Sequence, residues 1–331
     1  MKYIVKTFKK GIFLILLLNL QQSIKAQLTP IYSQYMLNGF ILNPALAGAD
    51  GCEILNLISR QQWVGYDDYP RTNWISFQTR IIKRKYLIKN FLGKKKLKPK
   101  TTGKVGIGGY LYNDRTGFIN RNGGQFSYAY HINLDNKNTQ LSLGLAARFY
   151  QLTFNRSLIV LANQNDVYLN SVTSKNYFIP NFSAGANLLG NSYYVGVSAA
   201  ELLQSKLMIN GQYLNGYTNP MVFYVQAGYL FNLSPKYVLE PSVLEVLEQD
   251  NSLTTFTLKV TYNSNFWMGV SFRTNMDVVY IVGFKYSYYY FSYAFDYPLT
   301  SLSTQNFGTH EISIALKFGS TERRSRWEER Y

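Results

Sequence analysis

The sequence predicts an all-β protein that crosses a membrane as an antiparallel up-and-down β-barrel of about 14 strands, and three observations predict it. The first is residue usage: 29 Tyr and 21 Phe in 331 residues, with only 16% charged, suits pleated surfaces better than amphipathic helices. The second is a period of two along most of the chain, with apolar or aromatic side chains at alternate positions. The third is an export leader followed by no apolar run near the length of a transmembrane helix.

The leader comes first. Lys2, Lys6, Lys9 and Lys10 form a positive region, Ile12 to Leu18 an unbroken apolar one, and Ile24-Lys25-Ala26 a tolerable cleavage site before Gln27. Residues 1–26 are therefore expected to be a removed signal peptide, since the apolar run is too short to cross a bilayer comfortably. No Cys follows closely enough to carry a lipid. Cys52 is the one cysteine, so an exported chain has no intramolecular disulfide to rely on and must take its stability from the hydrogen-bonded fold.

Residues 27–52 belong to no regular element. They contain LNGFILNPALAG, in which Asn43-Pro44 and Gly48 interrupt helix and strand alike. Yet Phe40, Ile41, Leu42 and Leu46 are too apolar for a solvated linker. The segment is expected to tuck under or into the barrel as a plug, with a partner-facing collar as the alternative.

Strand segments are centred on residues 53–60, 72–81, 103–113, 124–134, 139–151, 177–188, 191–200, 221–232, 236–247, 252–262, 265–273, 276–286, 288–298 and 308–318. Each is about the ten residues that a tilted membrane strand needs. Leu141, Leu143, Leu145, Ala147 and Phe149 alternate with Ser142, Gly144, Ala146 and Arg148. In the last part of the chain Tyr289, Phe291, Tyr293, Phe295 and Tyr297 share one face, opposite Ser292, Ala294 and Asp296. A soluble sandwich core would rarely bury so many Tyr hydroxyls, whereas a bilayer interface places them in aromatic girdles. The small inward residues Gly144, Ala146, Ser198 and Ala294 leave room for a channel or for a plug.

Connection lengths give a second test. With both termini in the periplasm, odd-numbered connections face outward and tend to be long. The long ones, near 61–71, 152–176, 201–220 and 299–307, are odd-numbered; short polar turns such as Asn232-Leu233-Ser234-Pro235 and Asn263-Ser264-Asn265 are even-numbered. The barrel proper is thus expected over 53–318, with a charged tail, 319–331, hanging free in the periplasm.

One even-numbered connection departs from this pattern. Removing the leader's five Lys lowers the formal charge from +16 to +11, and ten Lys or Arg lie between Lys83 and Lys104 with no acid among them. Lys83, Arg84, Lys85, Lys94, Lys95, Lys96, Lys98 and Lys100 are the candidate partner-binding residues, for an acidic periplasmic partner or anionic lipid head groups. A solvated loop is the plain alternative. Export, with no recognisable nucleic-acid-binding fold, argues against a nucleic-acid partner.

Signals for catalysis are thin. His131 and His310 are the two histidines, and His310-Glu311-Ile312-Ser313-Ile314 lacks the second His of a zinc-protease helix. Asp67-Asp68 and Asp166 have no acid/base partner at a telling spacing, and Gly106-Ile107-Gly108-Gly109 lacks the helix of a phosphate cradle. No enzyme activity, cofactor or metal is expected.

Several blocks carry a family likeness. Tyr32-Ser33-Gln34-Tyr35-Met36, Asn43-Pro44-Ala45 with Gly48, Arg60-Gln61-Gln62-Trp63-Val64-Gly65 and Tyr69-Pro70-Arg71-Thr72 open the chain. Tyr112-Asn113-Asp114-Arg115-Thr116-Gly117, Ser127-Tyr128-Ala129-Tyr130, Tyr193-Tyr194-Val195-Gly196-Val197-Ser198, Tyr293-Ala294-Phe295-Asp296-Tyr297 and Gly308-Thr309-His310-Glu311-Ile312 follow in order. Together they resemble the PorP/SprF family of type IX secretion system membrane proteins. The marker positions include Gln34, Tyr35, Met36, Asn43, Pro44, Gly48, Arg60, Gln62, Trp63, Gly65, Pro70, His310 and Glu311.

The resemblance implies a non-enzymatic outer-membrane barrel of Bacteroidota, working in secretion and gliding. It implies as partners secreted adhesins with C-terminal sorting domains, periplasmic ring and lipoprotein components, and outer-membrane lipid. The Lys83–Lys104 run and the tail after Phe318 depart from the family pattern. A porin-like channel for small, anionic solutes is the alternative function.

Overall fold

In the computed structural model the described residues are 32–81, 103–134, 139–155, 177–209, 212–249, 251–274, 277–299 and 306–318, with backbone alone for 206–209 and 212–218. The leader, most of the basic run and the tail 319–331 lie outside them. Fourteen strands make the wall: β1 (Glu53–Gln61), β2 (Arg71–Ile81), β3 (Val105–Thr116), β4 (Ile119–Asn133), β5 (Gln140–Phe154), β6 (Tyr177–Leu189) and β7 (Tyr193–Ala200) form the first half. The second half is β8 (Val222–Tyr229, resumed over Phe231–Ser234), β9 (Tyr237–Glu248), β10 (Asn251–Tyr262), β11 (Phe266–Arg273), β12 (Asp277–Tyr286), β13 (Tyr289–Pro298) and β14 (Thr309–Phe318).

Every strand pairs antiparallel with its chain neighbours, and β1 pairs with β14 from Glu53 opposite Phe318 to Gln61 opposite His310. That last ladder closes the sheet. In hydrocarbon an unpaired backbone group has no water to turn to, so a closed ring is the β arrangement that satisfies all of them. The end where β1 starts and β14 finishes is called the near end here, and the opposite one the far end.

The alternation sorts the wall into two surfaces. Along β11 Phe266, Met268, Val270 and Phe272 point out, while Trp267, Ser271 and Arg273 point in and are buried. Along β2 Ile75 and Phe77 point out, whereas Trp74, Ser76, Gln78 and Arg80 point in. Aromatics gather at the near rim, where Tyr237 meets Tyr262 at 5.0 Å and Tyr288 meets Phe318 at 6.1 Å between ring centres. Their amphipathic rings suit the boundary between hydrocarbon and head groups.

The near-end turn between β10 and β11 is tight. Asn263 and Ser264 both take positive φ, 49° and 55°, and Asn265 N–H donates to Tyr262 O at 3.1 Å. This is the twist-matched hairpin turn, which Asn tolerates better than most side chains. At the far end the long connections expected between β1 and β2, β5 and β6, β7 and β8, and β13 and β14 are present. The one between β7 and β8 carries a separate hairpin, Lys206–Ile209 with Gln212–Thr218.

The structure departs from the expected boundaries mainly at β3, β4 and β5, which run on to Thr116, from Ile119 and to Phe154. The added residues mix polar ones, such as Asp114, Arg115, Asn120 and Asn122, with the apolar Ile119, Leu152 and Phe154. The ladders continue through them: Asn113 Nδ2 donates to Asn120 Oδ1 at 2.9 Å and to Asn122 Oδ1 at 2.6 Å between β3 and β4, and Leu152 of β5 is buried with Tyr150 and Ile179.

Val270, 47% exposed near the middle of β11, meets lipid. Val270→Arg is expected to lower stability by about 2–4 kcal/mol, as for a cation placed at mid-bilayer on a barrel's outer face. Urea unfolding in lipid vesicles checks it.

Candidate functional site

What fills the lumen is the chain's own amino-terminal segment. Residues 33–52 run through the barrel from the far half, beside Arg60 and Glu311, to the near rim, where β1 begins. Two short 3-10 turns shape the segment, Gly39–Ile41 and Pro44–Leu46.

Asn43-Pro44 accounts for the second turn. Asn43 Oδ1 accepts from Ala45 N–H at 3.0 Å as a cap, and Pro44 follows at the first position, where no N–H is needed. The same Asn43 amide donates across the lumen to Ala186 O at 3.1 Å and Val197 O at 3.3 Å. Ser198 Oγ donates to Leu42 O at 2.8 Å. One motif residue thus shapes the plug and ties it to β6 and β7.

Apolar residues of the segment need a partner inside the barrel, and they have one. Phe40, Ile41 and Ala47 pack with Ile58, Trp74, Tyr110 and Ala129, and Phe40 lies edge-on to Tyr110 at 6.2 Å. Tyr35, Met36 and Leu42 pack with Leu244, Trp267, Val279 and Ile281 on the opposite side.

The wall is shaped to receive the plug's backbone. A methyl group added at Gly106 would overlap Ala47 O, at Gly144 the Pro44–Ala45 peptide, and at Gly185 the Asn43 side chain. Gly48 has φ +64° and sits against Thr79 O, a place for glycine on both counts. His131 Nε2 lies 3.0 Å from Ala47 O and Gln78 Oε1 3.1 Å from Gly48 N. A carbonyl only accepts, so His131 is protonated on Nε2, and Nδ1 takes the Ser142 hydroxyl at 2.8 Å.

The far half holds a charged clamp. Arg60 Nη2 donates to Asp296 Oδ2 at 2.9 Å and its Nη1 to Glu311 Oε2 at 3.2 Å. Arg273 Nη1 donates to Asp277 at 2.7 Å and Asp296 at 3.3 Å. Arg60, Arg273, Asp296 and Glu311 are each at most 4% exposed. Three carboxylates against two guanidiniums leave one negative charge in excess.

The plug supplies what is missing. Ser33 N–H and Gln34 N–H donate to the two oxygens of Glu311 at 3.0 and 3.1 Å, and Ser33 Oγ donates to Asp296 at 2.7 Å. Consecutive backbone amides form a small anion-binding concavity, and hydrogen bonds to a charged acceptor are the strong kind. Arg60 also reaches Ser33 Oγ. Beneath them Tyr35 OH donates to Thr257 Oγ1 at 3.1 Å.

Of the marker residues, Gln34, Tyr35, Met36, Asn43, Pro44 and Gly48 lie in the plug, and Arg60 and Glu311 receive it. Gln62, Trp63, Gly65 and Pro70 form a second group in the first far-end loop. Gln62 N–H donates to Pro70 O at 2.9 Å and Trp63 N–H to Thr309 Oγ1 at 3.2 Å, while Val64 and residues 307–308 exchange backbone hydrogen bonds. The first and last far-end loops are therefore joined. His310 points the other way from Glu311, toward the outside of the wall, with Nδ1 2.7 Å from Tyr293 OH.

Lys83, Arg84, Lys85, Lys94, Lys95, Lys96, Lys98 and Lys100 lie outside the described residues. Sequence reasoning did not single out Ser33, Asp296, Arg273, Asp277 or His131 as site residues. The available signal was parity: each strand member among them is a charged or polar residue in the inward register of an otherwise apolar strand. A further anchor it missed is Glu201, which takes Arg148 at 3.2 Å, Asn181 at 2.5 Å and Asn219, pinning the start of the loop between β7 and β8.

A closed wall with an apolar exterior, a polar interior and a self-supplied plug defines an outer-membrane β-barrel protein. The chain belongs to the family of type IX secretion system membrane proteins PorP/SprF, whose profile matches residues 24–316. It matches none of the curated proteins compared with it. Among solved structures it is similar to the Ralstonia pickettii toluene transporter TbuX (11% identity, 84% of this chain and 92% of that one, TM-score 0.48). It is also similar to the Pseudomonas putida toluene transporter TodX (9%, 87% and 94%, 0.43). A third is BamA from Haemophilus ducreyi lacking POTRA domains 1–3 (9%, 80% and 70%, 0.40).

Glu311→Ala leaves a buried Arg60 short of a partner and frees the plug's amides, and is expected to cost about 3–5 kcal/mol in unfolding free energy. Gly144→Val and Gly185→Val act on the plug rather than the wall. Heat-modifiable migration should persist in both, while conductance in planar bilayers rises above that of the unmodified protein.

Proposed function

We propose that this outer-membrane barrel serves type IX secretion as an attachment component, holding or admitting a secreted adhesin through its C-terminal sorting domain. The observation that supports this is the occupied lumen: Tyr35, Phe40, Ala45 and Ala47 are buried between opposite walls. A barrel filled by its own chain offers surfaces at its mouths rather than a wide bore.

In this reading the near end is periplasmic, residues 1–26 are a signal peptide, and the joined far-end loops face outward. The Lys83–Lys104 run leaves from the near end, between β2 and β3, with ten Lys or Arg and no acid. It supplies a docking charge for periplasmic ring and lipoprotein components. No catalytic step is assigned to the chain. A porin-like channel for small anionic solutes is the second reading, supported by the polar inner wall.

Affinity capture of the tagged barrel from membranes, after crosslinking in cells, is expected to recover an adhesin sorting domain or ring components. Recovery of neither contradicts the attachment reading. Replacing Lys83, Arg84, Lys85, Lys94, Lys95, Lys96, Lys98 and Lys100 by Gln should reduce ring recovery while leaving barrel assembly intact, and raised salt should act likewise. A steady, large, anion-selective conductance from the unmodified protein would favour the porin instead.

A further inference from the structure

The outer face of the wall is recessed toward the near end, over β10 to β14, by a groove of about 680 Å³. Strand register builds it. Tyr237 stands opposite Tyr262, Tyr262 opposite Phe266, Phe266 opposite Phe284 and Phe284 opposite Phe291, so five outward rings form one row across β9 to β13. Side chains facing each other across strands pack together, and Tyr237 meets Tyr262 at 5.0 Å and Phe284 meets Phe291 at 5.2 Å between ring centres.

Two residues further along β10, β11 and β12, the outward positions hold Val260, Met268 and Val282, again in register. These aliphatic side chains are slimmer than the rings and set the wall back beside the aromatic row. Toward β14 the floor is backbone, because Gly283 has no side chain and those of Ser292 and Ser313 are buried on the inner face.

The groove continues the apolar surface that Val270 and its neighbours present to hydrocarbon, so its occupant is lipid. An aliphatic floor beside a row of rings fits an acyl chain. The near-end rim offers what a head group needs. Lys236 is exposed beside Tyr237, and its carbonyl accepts from Asn263 N–H at 2.8 Å, which holds it against the next turn. The three near-end turns over this stretch, Pro235-Lys236, Asn263-Ser264-Asn265 and Ser287-Tyr288, contain no acid. A lysine at such a rim lays its stem on apolar surface and presents its ammonium to a phosphate.

We propose that this groove is a binding site for one phospholipid of the leaflet at the near end, with an acyl chain along Val260, Met268 and Val282 and the phosphate at Lys236. The inference stands on the register of the lipid-facing wall and does not depend on the secretion reading.

Photolabelling of the full-length protein tests it, in nanodiscs of phosphatidylethanolamine and phosphatidylglycerol doped with a phosphatidylethanolamine that carries a diazirine in one acyl chain. The peptide holding Phe266, Met268 and Phe272 is compared with the one holding Leu143, Leu145 and Phe149. Their outward side chains are comparably exposed, Met268 at 66% and Leu145 at 65%. The first peptide is expected to carry several-fold more adduct. Val282→Trp, which fills the groove, should make the two equal while heat-modifiable migration persists, and Lys236→Gln should lower the excess. Equal labelling in the unmodified protein would mean lipid exchanging evenly around the wall, and weaker labelling of the first peptide would mean a protein seated there; either overturns the proposal. An excess left unchanged in the folded variants overturns it as well.

Discussion

The clamp of Arg60, Asp296 and Glu311 with Ser33 is the interaction on which the remaining structure turns. It joins β1 to β13 and β14 across 236 and 251 residues of sequence, at the very ladder that closes the barrel. Its excess carboxylate has to be met inside the lumen, because the wall around it faces lipid. The amides of Ser33 and Gln34 meet it. Closing the sheet and seating the plug are therefore one electrostatic problem with one solution.

From that point the chain descends through a lumen cut to its shape. The polarity of the inner wall would suit water, but plug and wall replace it with directed hydrogen bonds: Asn43, His131 and Ser198 donate, and Gln78 accepts from Gly48 N–H. The apolar stretch of the plug finds tyrosine, tryptophan and aliphatic side chains at matching heights. A buried charge pair stabilises little by itself, yet it fixes geometry strongly once both partners are present. Here it fixes which residue of the amino-terminal segment meets which level of the barrel.

Much of the fold was legible because a barrel wall obeys one rule. Each strand must alternate, so Phe266 to Phe272 and Tyr289 to Tyr297 announce both their existence and their outward face. The resemblance to PorP/SprF agrees with the family match over residues 24–316. What alternation cannot show is the extension of β3, β4 and β5 beyond the expected segments, where Asn113 reaches Asn120 and Asn122 of β4 and Leu152 of β5 is buried against Ile179. The site was half legible. Arg60 and Glu311 stood out as motif residues, but Asp296, the other acceptor of Arg60, and Arg273, which donates to Asp296, look like ordinary inward polar positions until β1, β11, β13 and β14 are brought together. His310 shows the converse, since adjacency to Glu311 in sequence puts it on the opposite surface.

The central claim is that LNGFILNPALAG lies inside the wall, against one particular side. A photoreactive benzoyl-phenylalanine at position 40, introduced in cells and activated in intact membranes, tests it most directly. Adducts mapping to the β2 and β3 peptides around Trp74 and Tyr110 are what the account predicts. Adducts to lipid, or to a periplasmic protein in place of the barrel's own wall, would contradict it.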